Sequence, residues 1–377
     1  MNNRFSSAEV HHFLIGNIAI LGTAIYAFAL NSKYPDFYYL SVQEDEYLEW
    51  SSFWAFLLAA VAYFRSAAGH RIATRTFPWF LYGVALFCFV VAMEEISWGQ
   101  RLIGYRPPAY FLGHNYQQEF NFHNVVETDY RKLALTIVIA GYGIVLPLAV
   151  RFSFFESLFE RVGIVPPTIA LLPAFAGAFL LYVLYPWSHS GEWVELMLGL
   201  GFLFSALPMT VDHRGGNQPV SIDRFSLGKM TAVAFVAVIG LGLISGAASR
   251  MQRDAYPENL QAARSEVEAI SDDFESGIAK SRCNLHKRLY TFVEEYGQFN
   301  LFDGSFSELQ SHGLPEERAE FFLDPWNSPY WIRDRCDKQT RSRVTFVYSF
   351  GPNRRRDSTR TEILGDDIGS YVYYEVN

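Results

Sequence analysis

Six glutamates and two histidines in the first two-thirds of the chain have types and spacings that could do chemistry. Glu94 and Glu95 are adjacent in the run Glu94-Glu95-Ile96-Ser97-Trp98-Gly99-Gln100-Arg101. Glu46 and Glu49 lie three apart, and His189, Glu192 and Glu195 repeat that step, so on helices each set drifts along one face. Helical bundles hold divalent metals with glutamates from several helices and one or two histidines, and such a set suits zinc, manganese or iron. In this reading Glu94 or Glu95 serves as ligand or general base, and His123 and His189 as ligands or acid/base groups. Arg101 holds an anionic headgroup.

Each acid also has a structural reading. Glu46, Glu49, Glu192 and Glu195 open helices, where the positive end of the macrodipole favours carboxylates. Glu94 and Glu95 instead close an apolar stretch, where the macrodipole opposes them and ionisable groups are costly. Arg101 or Arg106, a shared proton or a bound cation would offset that cost.

The elements that must position these groups are membrane helices. Residues 1–249 carry 31 charged side chains, whereas 250–377 carry 39 in about half the length. Seven apolar stretches in the first region are long enough to cross a bilayer, near 11–30, 48–64, 77–97, 133–150, 166–186, 193–210 and 228–248. Pro166, Pro167 and Pro173 predict a late start or a kink in the fifth. With a cytoplasmic N-terminus, nine Lys/Arg fall in inner loops against five in outer ones. That bias sends the C-terminal region outward, to the periplasm of a bacterial inner membrane. The candidate groups then all collect on the outer side.

The domains are expected at 1–249, a seven-span bundle, and 250–377, an extracytoplasmic α+β domain. Apolar residues from Ala263 to Phe292 predict one helix over roughly 250–296, continuing the last span. Strands are predicted at 330–333, 344–350 and 370–376. Cys283 and Cys336 lie in the oxidising compartment and are expected to pair, while Cys88 lies within a span.

Three ordered elements add a resemblance. Leu323-Asp324-Pro325-Trp326-Asn327-Ser328-Pro329-Tyr330, then Val347-Tyr348-Ser349-Phe350-Gly351-Pro352-Asn353, then Gly365-Asp366-Asp367-Ile368 resemble the end of the major pseudopilins of type II secretion. The family reads DPWGNPY, YSLGADG and a DI element, and the likeness covers roughly 290–377. It implies a long helix packed on a small antiparallel sheet, a pilin-like partner, and calcium in the loop between the second and third elements. Asp357 and Asp367 are closest to the family's ligand positions. Arg354, Arg355 and Arg356 replace its Gly/Asp-rich segment and oppose a divalent ion. Ser226-Leu227-Gly228-Lys229-Met230 lacks the prepilin cleavage point and early Glu, so filament assembly is not implied.

The run Glu94 to Arg101, with the downstream His123-Asn124, also resembles uncharacterised bacterial multi-span proteins carrying EExSWGQR, over roughly 40–200. That likeness implies architecture but no activity. A formal charge of −8 and the lack of any Lys/Arg block argue against nucleic acid. Three functions stay open: a metal- or carboxylate-dependent enzyme on a lipid or envelope substrate, a non-catalytic sensor, receptor or assembly factor binding a periplasmic partner, and a proton-linked transporter.

Overall fold

A computed structural model describes residues 7–43, 45–103, 105–115, 118–212, 226–253, 257–275, 283–296, 318, 320–337, 342–352, 354 and 356–375. The chain is mostly helical and ends in a small antiparallel sheet. It divides into two compact units, one of residues 1–99 and 126–248, the other of residues 100–125 and 249–377.

The first unit holds α1 (Ser7–Lys33), α2 (Pro35–Ser41), α3 (Tyr47–Thr74) and α4 (Trp79–Glu95) before the excursion into the second. The excursion carries α5 (Gln100–Ile103) and α6 (Ala109–His114). The first unit resumes with α7 (Thr128–Ile137), a π-helical stretch Val138–Val145, α8 (Leu146–Ala149), α9 (Ser153–Val162), α10 (Leu172–Leu184), α11 (Ser190–Asp212) and α12 (Ser226–Arg253). Among the described residues, five helical stretches are long and apolar enough to cross a membrane: Val10–Lys33, Tyr47–Thr74, Thr128–Ala149, Ser190–Thr210 and Leu227–Met251. The segments expected as the third and fifth spans are the shorter helices α4 and Ile169–Leu184.

Close contacts set how these helices meet. A Cβ on Gly199 would stand 2.8 Å from Ala55 Cβ, so glycine lets α11 press against α3. Asn17, His12 and Tyr63 are polar side chains between helices that find partners, as an apolar surround favours. Asn17 Nδ2 donates to Ala170 O at 2.7 Å, and its Oδ1 accepts Ala174 N–H at 3.0 Å. Asn17 thereby satisfies backbone groups around the start of α10, whose first turn holds Pro173. His12 Nε2 lies 3.0 Å from Phe204 O, its Nδ1 pairs with the Thr231 hydroxyl, and Tyr63 pairs with Tyr142.

The second unit is organised by α13 (Pro257–Glu275) and the strands β1 (Leu285–Arg288), β2 (Trp331–Asp337), β3 (Ser342–Ser349) and β4 (Ile368–Glu375), with α14 (Leu289–Tyr296) after β1. The sheet order is β1-β2-β3-β4, all antiparallel. Ala263, Val267 and Ile270 of α13 share one core with Ile332, Val347, Ile368 and Val372. Trp331, Val344, Phe346 and Tyr348 form a second cluster with Phe350 and Ile363. Both faces are covered, which explains why β3 is buried over six consecutive residues instead of alternating.

The single helix expected over 250–296 is not found. α12 is described to Arg253 and α13 over Pro257–Glu275. Leu285–Arg288 then pairs as a strand with β2. Its apolar spacing fits the helical period, but its backbone groups bond to β2 instead. The same antiparallel register that sets Leu285 opposite Asp334 brings Cys283 to Cys336, which form a disulfide with Cα atoms 4.9 Å apart. Cys88 is buried and free.

Candidate functional site

The first unit gathers its carboxylates at one end of three helices. Glu95, half-buried in the last turn of α4, has Glu195, Glu49, Glu192 and Glu94 as its electrostatic neighbours. Glu49 stands in the first turn of α3 and its carboxylate accepts the Asp45 N–H, so it also closes the helix start. Glu46 is the buried residue at the N-terminal boundary of that helix. Glu192 and Glu195 belong to the beginning of α11, and Glu195 also feels the positive charge of Arg131 on α7.

The turn after α4 explains the next residues of the motif. Ser97, Trp98 and Gly99 take φ values of 46, 55 and 76°, a left-handed turn that is costly for the two non-glycine residues. That geometry returns the Trp98 indole N–H to Glu94 Oε1 at 2.6 Å. One carboxylate of the pair is thus held by its own motif, while the other faces like charges. His189 is exposed at φ 60°, with its ring edge toward Tyr39 at a centroid distance of 6.3 Å.

Arg101 and His123 belong to the second unit. The Arg101 side chain lies outside the described residues, as do Glu44 and Arg355. The polar residues of 100–125 largely hold that segment together and anchor it to the C-terminal residues. Gln100 Oε1 accepts Phe120 N–H at 2.7 Å, and buried Asn115 donates to Glu119 O at 2.7 Å and Asn121 Oδ1 at 2.8 Å. Arg288 of β1 donates to Asn115 O at 2.5 Å, Gln118 Nε2 to Phe321 O at 3.3 Å, and Arg106 pairs with Glu320 at 3.2 Å. Leu112 packs with Phe321 and Leu323.

The three ordered motifs of the C-terminal region interlock by hydrogen bonds. Asp324 is fully buried; its Oδ1 accepts Trp326 N–H at 3.0 Å and Ser328 N–H at 2.8 Å, and its Oδ2 accepts the Ser349 hydroxyl at 2.6 Å. Gly351 N–H donates back to Ser349 Oγ at 2.9 Å. A Cβ on Gly351, at φ 67°, would strike the Asp366 backbone, and one on Gly365 would come within 2.7 Å of Asp357 Cγ. Two glycines therefore let the loop close with Asp357, Asp366 and Asp367 together.

Those three aspartates each place a carboxylate oxygen within 4.8 Å of the others. Among the described residues this is the one group of His, Cys, Asp or Glu that reaches such spacing; Glu46, Glu49, Glu95, His189, Glu192 and Glu195 do not form one. Asp367 is 8% exposed. Its Oδ2 accepts Ser358 N–H at 2.7 Å and Asp357 N–H at 3.1 Å, and its Oδ1 is buried with no hydrogen-bond partner. Burial pushes the Asp367 carboxyl up to about 6 despite the Ser358 and Asp357 hydrogen bonds, and burial does the same to Asp324. An all-oxygen donor set with one orphaned lone pair fits a hard cation such as calcium. Arg354 directs an N–H to Trp326 O at 3.1 Å, and exposed Arg356 acts on His286 and Tyr348.

The motif resemblance marks Asp357 and Asp367 as ligand positions, and the structure adds Asp366 to them. Sequence reasoning missed Glu266, whose partners Arg318 and Tyr330 lie far along the chain. No family profile, curated protein or solved structure matches this chain.

Proposed function

We propose that the chain is a multi-pass envelope membrane protein that displays a calcium-stabilised, pseudopilin-like binding domain on its extracytoplasmic side. The observation that carries this reading is the Asp357, Asp366 and Asp367 cluster with its buried, unpartnered Asp367 Oδ1. Calcium takes six to eight oxygens; these three carboxylates would supply the charged ones, and loop carbonyls and water the rest. The five long apolar helices, with α4 and Ile169–Leu184, support seven crossings. Together with the cation bias of the loops, they support a cytoplasmic N-terminus and a periplasmic C-terminal domain. The Cys283–Cys336 disulfide supports the same compartment. α13 on its four-stranded sheet supports the pilin-like arrangement. Exposed Tyr371 and Tyr374 on the last strand, with ring centroids 5.3 Å apart, offer an aromatic face to a periplasmic or pilin-like protein partner.

A second reading rests on the convergence of Glu49, Glu94, Glu192 and Glu195 on Glu95. Such a group suits a carboxylate-dependent enzyme acting on a lipid or lipid-linked envelope substrate, with Glu95 as general base, or a proton-linked transporter.

Metal content and thermal unfolding of the purified full chain, with and without calcium, separate these readings. Asp367 has a folded pKa of about 6, above the ordinary aspartate value. Its contribution without calcium is therefore complete below about pH 4 and lost as pH rises through 6, about 3 kcal/mol by neutral pH. Asp324 titrates in the same direction. Calcium is expected to bind with a Kd on the order of 10⁻⁴ M, raising Tm strongly at pH 7.5 and much less at pH 5. Asp367→Asn should remove both responses. A Tm indifferent to calcium at pH 7.5 would sink the proposal. Stoichiometric zinc, manganese or iron lost in Glu95→Gln would support the enzyme reading instead.

A further inference from the structure

α3 and α12 run antiparallel, close at one end and parted at the other. At the close end a Cβ on Gly246 would lie 3.0 Å from Tyr47 N, and one on Gly242 2.9 Å from Tyr47 O, so two glycines let the backbones touch. Trp54 Nε1 donates to Ser245 Oγ at 3.0 Å and locks this register. Carried further along both helices, the register brings Arg65 to the level of Lys229.

Toward that level α12 has larger side chains, and a cavity of about 560 Å³ opens between the helices. Its walls are Leu58 and Val61 from α3 and Val233 and Ala234 from α12, with Leu203 and Leu207 of α11 as its floor. The stretch from Leu58 to Arg65 is about 10 Å of helix. Arg65 and Lys229 line one end and are both exposed. Val61 is 50% exposed and Val233 67%, with exposed Phe64 and Val236 on the same two helices, so the groove opens through an apolar surface.

We infer that this groove binds an anionic phospholipid, its acyl chain lying between α3 and α12 and its phosphate at Arg65 and Lys229. Charge complementarity selects the occupant. Apolar walls alone would accept any lipid, and two cations alone any anion; their sequence along one groove matches a molecule that is apolar over about two helical turns and anionic at the end. A cavity of this size lies within the range of small-molecule sites. The inference rests on reading the first unit as membrane-spanning, but not on the calcium site.

Native mass spectrometry of the full chain in mild detergent tests it, with phosphatidylglycerol and phosphatidylethanolamine of equal chain composition as probes. The wild type is expected to retain phosphatidylglycerol roughly tenfold better, since each cation near a headgroup favours an anionic lipid. Arg65→Gln with Lys229→Gln should erase that preference. Ala234→Trp, which fills the groove and keeps both cations, should lower occupancy by phosphatidylglycerol. Millimolar inorganic phosphate should not displace the lipid. Equal retention of both lipids by the wild type overturns the inference, as does undiminished phosphatidylglycerol occupancy in Ala234→Trp or displacement by phosphate alone. If the double variant does not fold, the wild-type selectivity and Ala234→Trp decide. Failure of the membrane reading shows separately, as a chain released from membranes by alkaline carbonate.

Discussion

Glu266→Ala is expected to lower the unfolding free energy of the C-terminal domain by about 3–5 kcal/mol, the range for removing one partner of a buried ion pair. Glu266 is 2% exposed on the inner face of α13. Its carboxylate accepts two Arg318 N–H bonds at 2.5 and 2.9 Å and the Tyr330 hydroxyl at 2.6 Å. Arg318 also donates to Leu323 O at 2.7 Å, so one guanidinium ties α13 to the chain entering the DPWNSPY motif. Truncation leaves that guanidinium and the Tyr330 hydroxyl without their acceptor in a dry site. Glu266→Met combined with Arg318→Met should recover much of the loss, because two apolar side chains leave no charge unpaired. Urea unfolding of the full chain in detergent, followed through tryptophan fluorescence, measures both. A loss under about 1 kcal/mol for Glu266→Ala would mean that the pair is solvated and contributes as a surface pair does.

Reducing Cys283–Cys336 is expected to cost about 4 kcal/mol, the chain-entropy value for a loop of this size. The bond closes a separation of 53 residues. It also holds β1, a four-residue edge strand, in register with β2. Such a strand makes few ladder bonds, so its release should loosen α14 as well. Cys283→Ser should therefore produce early proteolytic cleavage after β1 while the helices of the first unit stay protected. Limited proteolysis with and without dithiothreitol reads this directly, and an unchanged pattern would show that β1 holds without its bridge.

What could be read from the amino-acid order was whatever neighbouring residues encode. Long apolar runs mark α1, α3, α11 and α12 because crossing a bilayer is a property of one segment at a time. Short aromatic runs between turn residues mark β2, β3 and β4 to within a few residues. β1 escaped, since Leu285-His286-Lys287-Arg288 continues a helical period and becomes a strand only because β2 stands beside it. In Asp367 the residue type and motif were legible, but the orphaned oxygen was not, for it depends on which amides fill the other lone pairs.

Convergence was the part that no local signal carried. His189 shares its spacing with Glu192 and Glu195, yet it stands exposed before α11, while Glu95 meets carboxylates from two other helices. Residues 100–125 read as a loop of the membrane region, but hydrogen bonds to partners about 170 to 200 positions away hold them with the C-terminal domain. Glu266 looks like one more acid on an amphipathic helix until Arg318 and Tyr330 arrive beside it. Helix and strand preference are short-range properties of the backbone and its nearest side chains. Which charges end up together depends instead on packing register, set by contacts as small as Gly199 on Ala55 or Gly246 on Tyr47. Those contacts join residues far apart in the chain.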